Sequence, residues 1–273
     1  MLAGGVAAGA FGSILGLGGG VLIVPLLTLV FGLPLREAVA ISLVCVIVTS
    51  SASAGVYLQR RQANLRLGMI LELFTAAGAI VGGAIAFLID ERLLAVLFAG
   101  LLVYVAATML RGIRTPATAS ATDDETPPVP AGDDVPAAAS AEPATTLDYD
   151  RRRMPAAALG SVGAGIASAL LGIGGGTIKV PLMHLVLGVP LRVATATSNL
   201  MIGITASASG IVYLVRGGID AYVAGPTAIG VFVGASLGSR YGHRIGQRAL
   251  RVLFVVVLLY TAIEMLRRSA VAP

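Results

Sequence analysis

The chain has 273 residues, of which 56% are hydrophobic and 12% are charged, and its formal net charge is +5 at pH 7. A soluble globular chain is typically about 25% charged, so this composition excludes an ordinary soluble domain. Several apolar runs approach or exceed the roughly 20 residues that a helix needs to cross a bilayer. The composition therefore predicts an all-α polytopic membrane protein, placed in the cell membrane.

The first half of the chain begins with two short apolar pieces around a glycine-rich break, at 2–15, 16–20 and 21–31. Three longer apolar runs follow it, at 39–58, 67–89 and 93–110. The same order returns in the second half, at 156–171, 172–176, 177–187, 194–215, 222–237 and 250–266. Each half is thus predicted to hold a glycine-broken or re-entrant first segment and three transmembrane helices.

These two halves are copies of each other. Positions 15–60 and 171–216 are identical at 25 of 46 sites without a gap, at a shift of 156 residues. Internal duplication of this kind is common among secondary transporters. We expect a first membrane repeat at 1–112 (copy one), a linker at 113–153, and a second membrane repeat at 154–273 (copy two).

The linker differs sharply in composition from both copies. Residues 113–150 hold six of the thirteen prolines and eight of the fourteen acidic residues. Such a segment cannot bury enough apolar surface to fold, which predicts a disordered, solvent-exposed tether. Outside it, 18 basic residues face 6 acidic ones, mostly between apolar runs, where they act as topology signals. No nucleic-acid partner is expected, because no soluble module presents a basic patch.

The glycine breaks raise the question of function. Each flanking piece reaches only about half to two-thirds of a ~30 Å hydrocarbon core, so the break is predicted near the midplane. A helix that starts there leaves its first N–H groups without intrahelical partners, and these groups attract anions. Close packing of helices through small residues is the alternative. The GxGxxG spacing and a following GK[ST] are absent, which argues against a nucleotide site.

Polar residues at membrane depth complete the predicted substrate site, because hydroxyls and amides donate to oxyanions without adding a counter-charge. They could equally bond within their own helix or hold neighbouring helices together. The candidate substrate-binding residues are Gly18, Gly19, Gly20, Ser42, Thr49, Gly174, Gly175, Gly176, Thr177, Lys179, Thr197, Ser198 and Asn199.

Lys179 is the single lysine of the chain, and copy one has Ile23 in its place. It is either an electrostatic partner for an anion, a snorkelling lysine, or half of an ion pair with Glu72 or Glu264. Glu72 is itself a functional candidate as an acid within an apolar run, unless it reaches the membrane interface. His184 could relay protons or serve a structural role.

Two motif pairs carry a family resemblance. "GLGGGVLIVPLL" with "GLPLREAVAIS" in copy one, and "GIGGGTIKVPLM" with "GVPLRVATATSNL" in copy two, resemble the sulfite exporter TauE/SafE family of membrane permeases. The resemblance covers about 200 of the 273 residues. It implies transport of a small anion such as sulfite, an organosulfonate or a related organic anion. The long acidic linker departs from a typical member.

Two arrangements of the copies remain open. If each broken pair crosses the membrane, the copies are parallel; if each turns back, they are inverted. Counting arginines places thirteen on the linker side and five opposite in the inverted arrangement, against eleven and seven in the parallel one. The positive-inside rule therefore favours inversion, and both arrangements place the linker in the cytoplasm.

The predicted function is a secondary transporter rather than an enzyme, with an anion channel or pore as the alternative. No metal-ligand cluster, nucleophile–base set or nucleotide motif appears in the sequence, so no cofactor or metal is expected. The expected partners are a small anionic substrate, membrane lipid and a coupling ion, either H⁺ or Na⁺. Direction of transport and oligomeric state stay open.

Overall fold

A computed structural model describes residues 1–14, 20–59, 63–114, 151–241 and 247–271 of the chain. These residues form ten α-helices, and no strand occurs among them. In chain order the helices of copy one are α1 (Leu2–Ile14), α2 (Gly20–Pro25), α3 (Leu35–Gln59), α4 (Leu65–Ala86) and α5 (Glu91–Arg114). Those of copy two are α6 (Met154–Leu171), α7 (Gly176–Pro181), α8 (Leu191–Val215), α9 (Ala221–Tyr241) and α10 (Gln247–Val271). Every predicted apolar run falls on a helix.

Within the described part of the chain, four helical stretches are long and apolar enough to span a membrane: Leu65–Ala86, Glu91–Thr108, Met154–Leu171 and Val193–Val215. On α4 the outward face is as apolar as the buried one, since Leu73 and Ile80 are 71% and 52% exposed. Apolar residues on all sides are typical of a helix that faces lipid. The fold is thus that of a helical membrane protein, as the composition predicts.

The two short helices share a local feature. Each carries a proline at its last position, Pro25 in α2 and Pro181 in α7, and continues as one π-helical turn, Leu26–Val30 and Leu182–Val186. Proline has no N–H to donate to the preceding turn, so the hydrogen-bond ladder shifts there. The sequence motif "VP" therefore has the same structural result in both copies.

Helices of one copy pack against helices of the other. The contact between α4 and α6 is made through glycines: Gly78 lies against Val162 and Gly82 against Ile166, where a methyl group on Gly82 would lie 2.6 Å from the Ile166 Cα. Helix α1 meets α9 in the same way, with Gly5 against Thr227. Small residues permit such close backbone contact, so helix packing accounts for many of the glycines.

The contacts also give the directions of the helices. Along α4 and α6 both residue numbers rise together, from Gly78 at Val162 to Gly82 at Ile166, so these helices are parallel. Helices α4 and α8 are parallel too, because the Asn64 N–H donates to Thr197 near the start and Glu72 pairs with Thr205 further along. Since α6 and α8 run in the same direction, residues 172–190 between them return the chain to its starting side.

Helices α3 and α8 run in opposite directions. Ser50 of α3 contacts Gly203 of α8, whereas the earlier residue Ile47 contacts the later Gly210. Ser50 Oγ donates to the Asn199 carbonyl at 2.9 Å and accepts from the Gly203 N–H at 2.9 Å. Gly203 is required by this contact, since a methyl group there would lie 2.9 Å from Ser50 Oγ.

The domain boundaries predicted around the linker fall mostly outside the described residues. Helix α5 continues to Arg114, and a single 3₁₀ turn at Arg151–Arg153 precedes α6. The acidic, proline-rich residues between them, 115–150, are not among those that the structure describes.

Candidate functional site

The second glycine break is a tight left-handed connection between α6 and α7. Gly172, Gly174 and Gly175 have φ angles of 69°, 76° and 77°. Residues with a Cβ rarely adopt this conformation, which explains why three glycines occur here. The Gly172 N–H donates to the Ser168 carbonyl at 2.8 Å and closes α6, and the Lys179 N–H donates to the Gly175 carbonyl at 3.0 Å and opens α7.

The two glycine breaks come together at Ser42 of α3. The Ser42 hydroxyl lies 2.8 Å from the Gly172 carbonyl oxygen and 3.2 Å from the Gly20 carbonyl oxygen. A methyl group on Gly20 would lie 2.9 Å from the same Gly172 oxygen. Ser42 is fully buried. One serine therefore joins the end of α6 to the start of α2.

Lys179 is buried in a cluster with Glu72 and Thr205, here named the Lys179 cluster. Its Nζ pairs with Glu72 Oε2 and donates to Thr205 Oγ1 at 2.7 Å. The Thr205 hydroxyl in turn donates to Glu72 Oε1 at 2.6 Å. Lys179 and Glu72 are each only 4% exposed. Three helices supply the cluster, α4 with the acid, α7 with the lysine and α8 with the threonine.

This geometry decides between the alternatives for Lys179 and Glu72. Lys179 does not snorkel, and its partner is Glu72 rather than Glu264, which pairs with Arg267 at 3.5 Å. The Glu72 carboxylate turns inward to α7 and α8 rather than outward from the helices. His184 is a structural residue in this conformation, since its Nδ1 donates to the Val189 carbonyl at 2.9 Å.

The two copies together form one Lys179 cluster, and the equivalent positions after exchange of the copies do not form a second one. A shift of 156 residues places Ile23 at Lys179, Ala228 at Glu72 and Thr49 at Thr205. Both charges are thus replaced by apolar residues in the equivalent position, and both replacements are buried. Lys179 and Glu72 are thus two opposite charges that each align with an apolar residue of the other copy. This pattern can be read from the sequence alone. The Thr49 hydroxyl donates back to its own helix, to the Cys45 and Val46 carbonyls at 3.1 Å each.

A small cavity of about 10 Å³ opens beside the Lys179 cluster. A void of this size is close to the minimum for one water molecule. Its polar lining includes Lys179, Glu72, Ser161, Thr197 and Ser198, and Gly68 contributes backbone. The sequence analysis did not select Gly68 or Ser161, whose small size on the buried faces of α4 and α6 is the only signal for them.

Three buried hydroxyl oxygens near the break have no hydrogen-bond partner among the described residues: Ser168, Thr177 and Ser198. Ser198 is 1% exposed and lines the cavity, and Ser168 is fully buried beside Gly175. A buried polar group without a partner costs about 1–3 kcal/mol, so such groups are rare in folded proteins. Their grouping at the glycine break marks this place as a candidate ligand site.

The structure brings part of the predicted site together. Around the second break and the cavity lie Gly174, Gly175, Gly176, Thr177, Lys179, Thr197 and Ser198, with Gly20 and Ser42 at the junction of the two breaks. Thr197 also accepts from the Asn64 N–H at 2.9 Å, which positions the start of α4. Asn199 offers its backbone carbonyl to Ser50 of α3, on another face of α8. Gly18 and Gly19 lie outside the described residues.

Comparison with known proteins places the chain in a family. Residues 1–265 match the family model described as sulfite exporter TauE/SafE. The probable membrane transporter protein YunE of Bacillus subtilis (strain 168) is 24% identical over 277 residues, 96% of this chain and 94% of the relative. A probable membrane transporter protein of Xylella fastidiosa (strain 9a5c) is 28% identical over 260 residues, 94% of this chain and 90% of the relative.

A plant protein is also similar over part of its length. The sulfite exporter TauE/SafE family protein 6 of Arabidopsis thaliana is 30% identical over 117 residues, 43% of this chain and 27% of the plant protein. No solved structure matches the chain. The two bacterial relatives bear the name of probable membrane transporters, not of enzymes. From the match over nearly its whole length, the chain belongs to the sulfite exporter TauE/SafE family of membrane transporters.

Proposed function

We propose that the chain is a carrier for a small anion, such as sulfite, an organosulfonate or a related organic anion. The observation that carries this proposal is Lys179, a cation 4% exposed among apolar helices, beside a cavity lined by the Ser198 hydroxyl, which has no partner among the described residues. Buried ionisable groups in membrane helices are rare and usually functional. Membership of the family supports transport as the function, and the positive charge of Lys179 supports an anion as the substrate.

The chemistry of the site suits an oxyanion. An ammonium group and hydroxyl groups are donors that bind several oxygens of one anion at once. Ser198 and Thr177 are unpartnered among the described residues, and Lys179 has three N–H donors, of which Glu72 and Thr205 take two. Gly174 and Gly176 next to them lack side chains, and in this conformation Ile202 covers both, so an anion reaches their backbone only when that side chain moves.

We also propose that the two copies form two halves of inverted topology around this site. The directions of the helices support it, since α4 is parallel to α6 and α8, whereas α3 and α8 are antiparallel. In the parallel arrangement α4 and α8 would run in opposite directions. Inversion puts the N-terminus and residue 130 on opposite sides of the membrane, and reporter fusions at the two places test this. Reporters on the same side would contradict it.

The competing function is an anion channel. In this conformation the cavity beside Lys179, about 10 Å³, is close to the size of one water molecule, so the described residues there form no open path for hydrated ions. Counterflow in proteoliposomes separates the two functions. A carrier loaded with unlabelled sulfite or ethanesulfonate accumulates labelled anion transiently and saturably, whereas a channel does not.

The role of Lys179 is tested by two variants that differ only at this residue. Glu72→Gln keeps the ammonium group, and the double variant Glu72→Gln/Lys179→Met removes it without leaving an unpaired carboxylate. We expect the double variant to bind sulfite or ethanesulfonate about 1–3 kcal/mol more weakly, as for a lost charge-assisted hydrogen bond. Ile23→Met, at the equivalent position of copy one, is the control. Equal affinity of the two Glu72→Gln proteins would exclude Lys179 from the site.

A further inference from the structure

The Lys179 ammonium already has an anion as its partner in this structure, namely the carboxylate of Glu72. An arriving substrate anion would stand next to that carboxylate, in surroundings where Lys179 and Glu72 are each 4% exposed. Two negative charges beside one ammonium repel strongly where water is excluded. The substrate and an ionised Glu72 therefore compete for the same cation.

From this competition we propose that Glu72 takes up a proton each time Lys179 binds the substrate, so that one proton crosses the membrane with each monoanion. The inference rests on the function proposed above and names its coupling ion. The charges balance: the ion pair of carboxylate and ammonium is replaced by a neutral acid and a pair of ammonium and substrate. A hydronium ion gives its proton to the carboxylate: one O–H bond of hydronium breaks, one O–H bond forms on Glu72, water leaves, and the ion pair of Glu72 and Lys179 is given up.

Thr205 is placed to follow this change. While Glu72 is ionised, the Thr205 hydroxyl donates to Glu72 Oε1 at 2.6 Å. The Met201 carbonyl, one turn earlier on α8, is a second acceptor for the same hydroxyl at 3.5 Å. A protonated Glu72 can then donate to Thr205 Oγ1, while Thr205 turns its own hydrogen to Met201. The threonine thus satisfies both protonation states of the acid.

No other charged group of the described side chains competes for this role. Helix α6, packed on α4, has no titratable residue. On α8 the titratable residues are Tyr213, whose hydroxyl donates to the Ala169 carbonyl at 3.0 Å, and Arg192, whose side chain is not among those that the structure describes. His184 beyond α7 is exposed and donates to a carbonyl, and Arg66 of α4 is exposed. Among the side chains that the structure describes, Lys179 is therefore the one charged group that Glu72 faces.

The ion pair also has a role when no substrate is bound. A carrier must return empty to complete net transport, and an uncompensated ammonium group is costly in the interior of the membrane. Glu72 supplies the missing negative charge, so the empty site is neutral. Net flux accordingly requires Glu72, whereas exchange of one anion for another, in which the site is occupied during every reorientation, does not.

Calorimetry on the purified wild-type protein tests the proton directly and depends on no variant. Ethanesulfonate is the probe, because its sulfonate stays ionised across the pH range used. Titrations at pH 7.5 in buffers of different protonation enthalpy should give uptake of about one proton per anion bound. Linkage to one proton also requires the affinity to fall up to about tenfold for each unit of rising pH. Binding without proton uptake would overturn the inference and leave the proposed function standing.

Transport in proteoliposomes provides the second test. We expect Glu72→Gln to retain ethanesulfonate counterflow, to lose at least nine-tenths of net uptake driven by a proton gradient, and to lose the pH dependence of binding. The control is Glu264→Gln, which removes an acid paired with Arg267 on α10 and should leave both activities unchanged.

Three results of these experiments would overturn the inference, and a fourth would overturn the proposed function. Net, proton-driven uptake by Glu72→Gln equal to that of the wild type would overturn the inference, as would a requirement of wild-type uptake for Na⁺. Loss of both counterflow and net uptake in folded Glu72→Gln would also overturn it, because a merely structural role predicts that result. Absence of any ethanesulfonate or sulfite binding to the wild type would overturn the proposed function itself.

Discussion

Ser42 and Gly172 are 130 positions apart in the chain, and the hydroxyl of the first donates to the carbonyl of the second at 2.8 Å. The same hydroxyl reaches the Gly20 carbonyl, so a single buried side chain spans both glycine breaks. Carbonyl groups freed by a break in a membrane helix need a donor from protein or water. Ser42 is that donor for the Gly172 carbonyl at the end of α6, and its single hydrogen is shared with the Gly20 carbonyl at the start of α2.

Replacing Ser42 with alanine should therefore destabilise the junction of the breaks. Two buried carbonyls lose their side-chain donor, at a cost of about 1–3 kcal/mol in the free energy of unfolding. The control is Ser51→Ala on the same helix, where the hydroxyl donates back to the Ile47 carbonyl of α3 itself at 2.7 Å. Thermal unfolding in detergent compares the two. A melting temperature for Ser42→Ala equal to that of Ser51→Ala would show that water replaces the serine without loss.

Packing of α4 on α6 can be tested with two glycines of one helix. A methyl group on Gly165 would collide with the Thr75 carbonyl, whereas one on Gly163 would meet no atom within 4 Å. We expect Gly165→Ala to lower stability by about 1–3 kcal/mol through overpacking. Gly163→Ala should be neutral or more stable by up to about 1 kcal/mol, because alanine favours the helix. Equal melting temperatures of the two variants would contradict the close packing of α4 and α6.

How much the sequence can predict differs between the fold and the site. The ten helices follow from apolar length and from the glycine and proline breaks, which are local properties of the chain. The pairing of α4 with α6 and of α1 with α9 does not, because it depends on which glycine faces match between distant segments. The direction of α4 relative to α8 is equally a property of the packed molecule.

In the site, too, some features follow from local sequence and others depend on tertiary packing. The sequence places Lys179, Thr197 and Ser198 at membrane depth near the second break, and the structure brings them to one cavity. It leaves open whether Lys179 pairs with Glu72 or Glu264, because an ion pair across 107 positions depends on tertiary packing. The stronger signal lay in comparing the copies, since both Lys179 and Glu72 stand opposite apolar residues.

The acidic linker stays a prediction from composition. We expect replacement of residues 115–150 by a Gly/Ser sequence of equal length to leave folding and transport intact, because a segment without an apolar core adds little to either. The measurements are the yield of monodisperse protein and counterflow of sulfite. The control replaces the same segment with a scrambled version of its own sequence. Loss of folded protein with both replacements would show that the order of linker residues has a structural role.

The Lys179–Glu72 pair offers the last prediction, because the structure selects one of the alternatives that the sequence leaves open. Taken as an unpaired cation, Lys179 would be replaced by methionine without loss of stability. Because Glu72 is its partner, Lys179→Met instead leaves a buried carboxylate without a counter-charge. We expect that variant, and Glu72→Gln alone, each to lose about 3–5 kcal/mol of stability.

The double variant Glu72→Gln/Lys179→Met should recover most of this loss, since a neutral pair of similar volume needs no compensation. The measurement is a double-mutant cycle on the free energy of unfolding in detergent, with a coupling energy of about 3 kcal/mol or more expected. The control cycle combines Lys179→Met with Glu264→Gln, which removes an acid that does not contact Lys179, and should give a coupling energy near zero. Additive losses in the first cycle would mean that the two charges are solvated separately. The neutral site of the empty carrier, on which return without substrate depends, would then have no energetic basis.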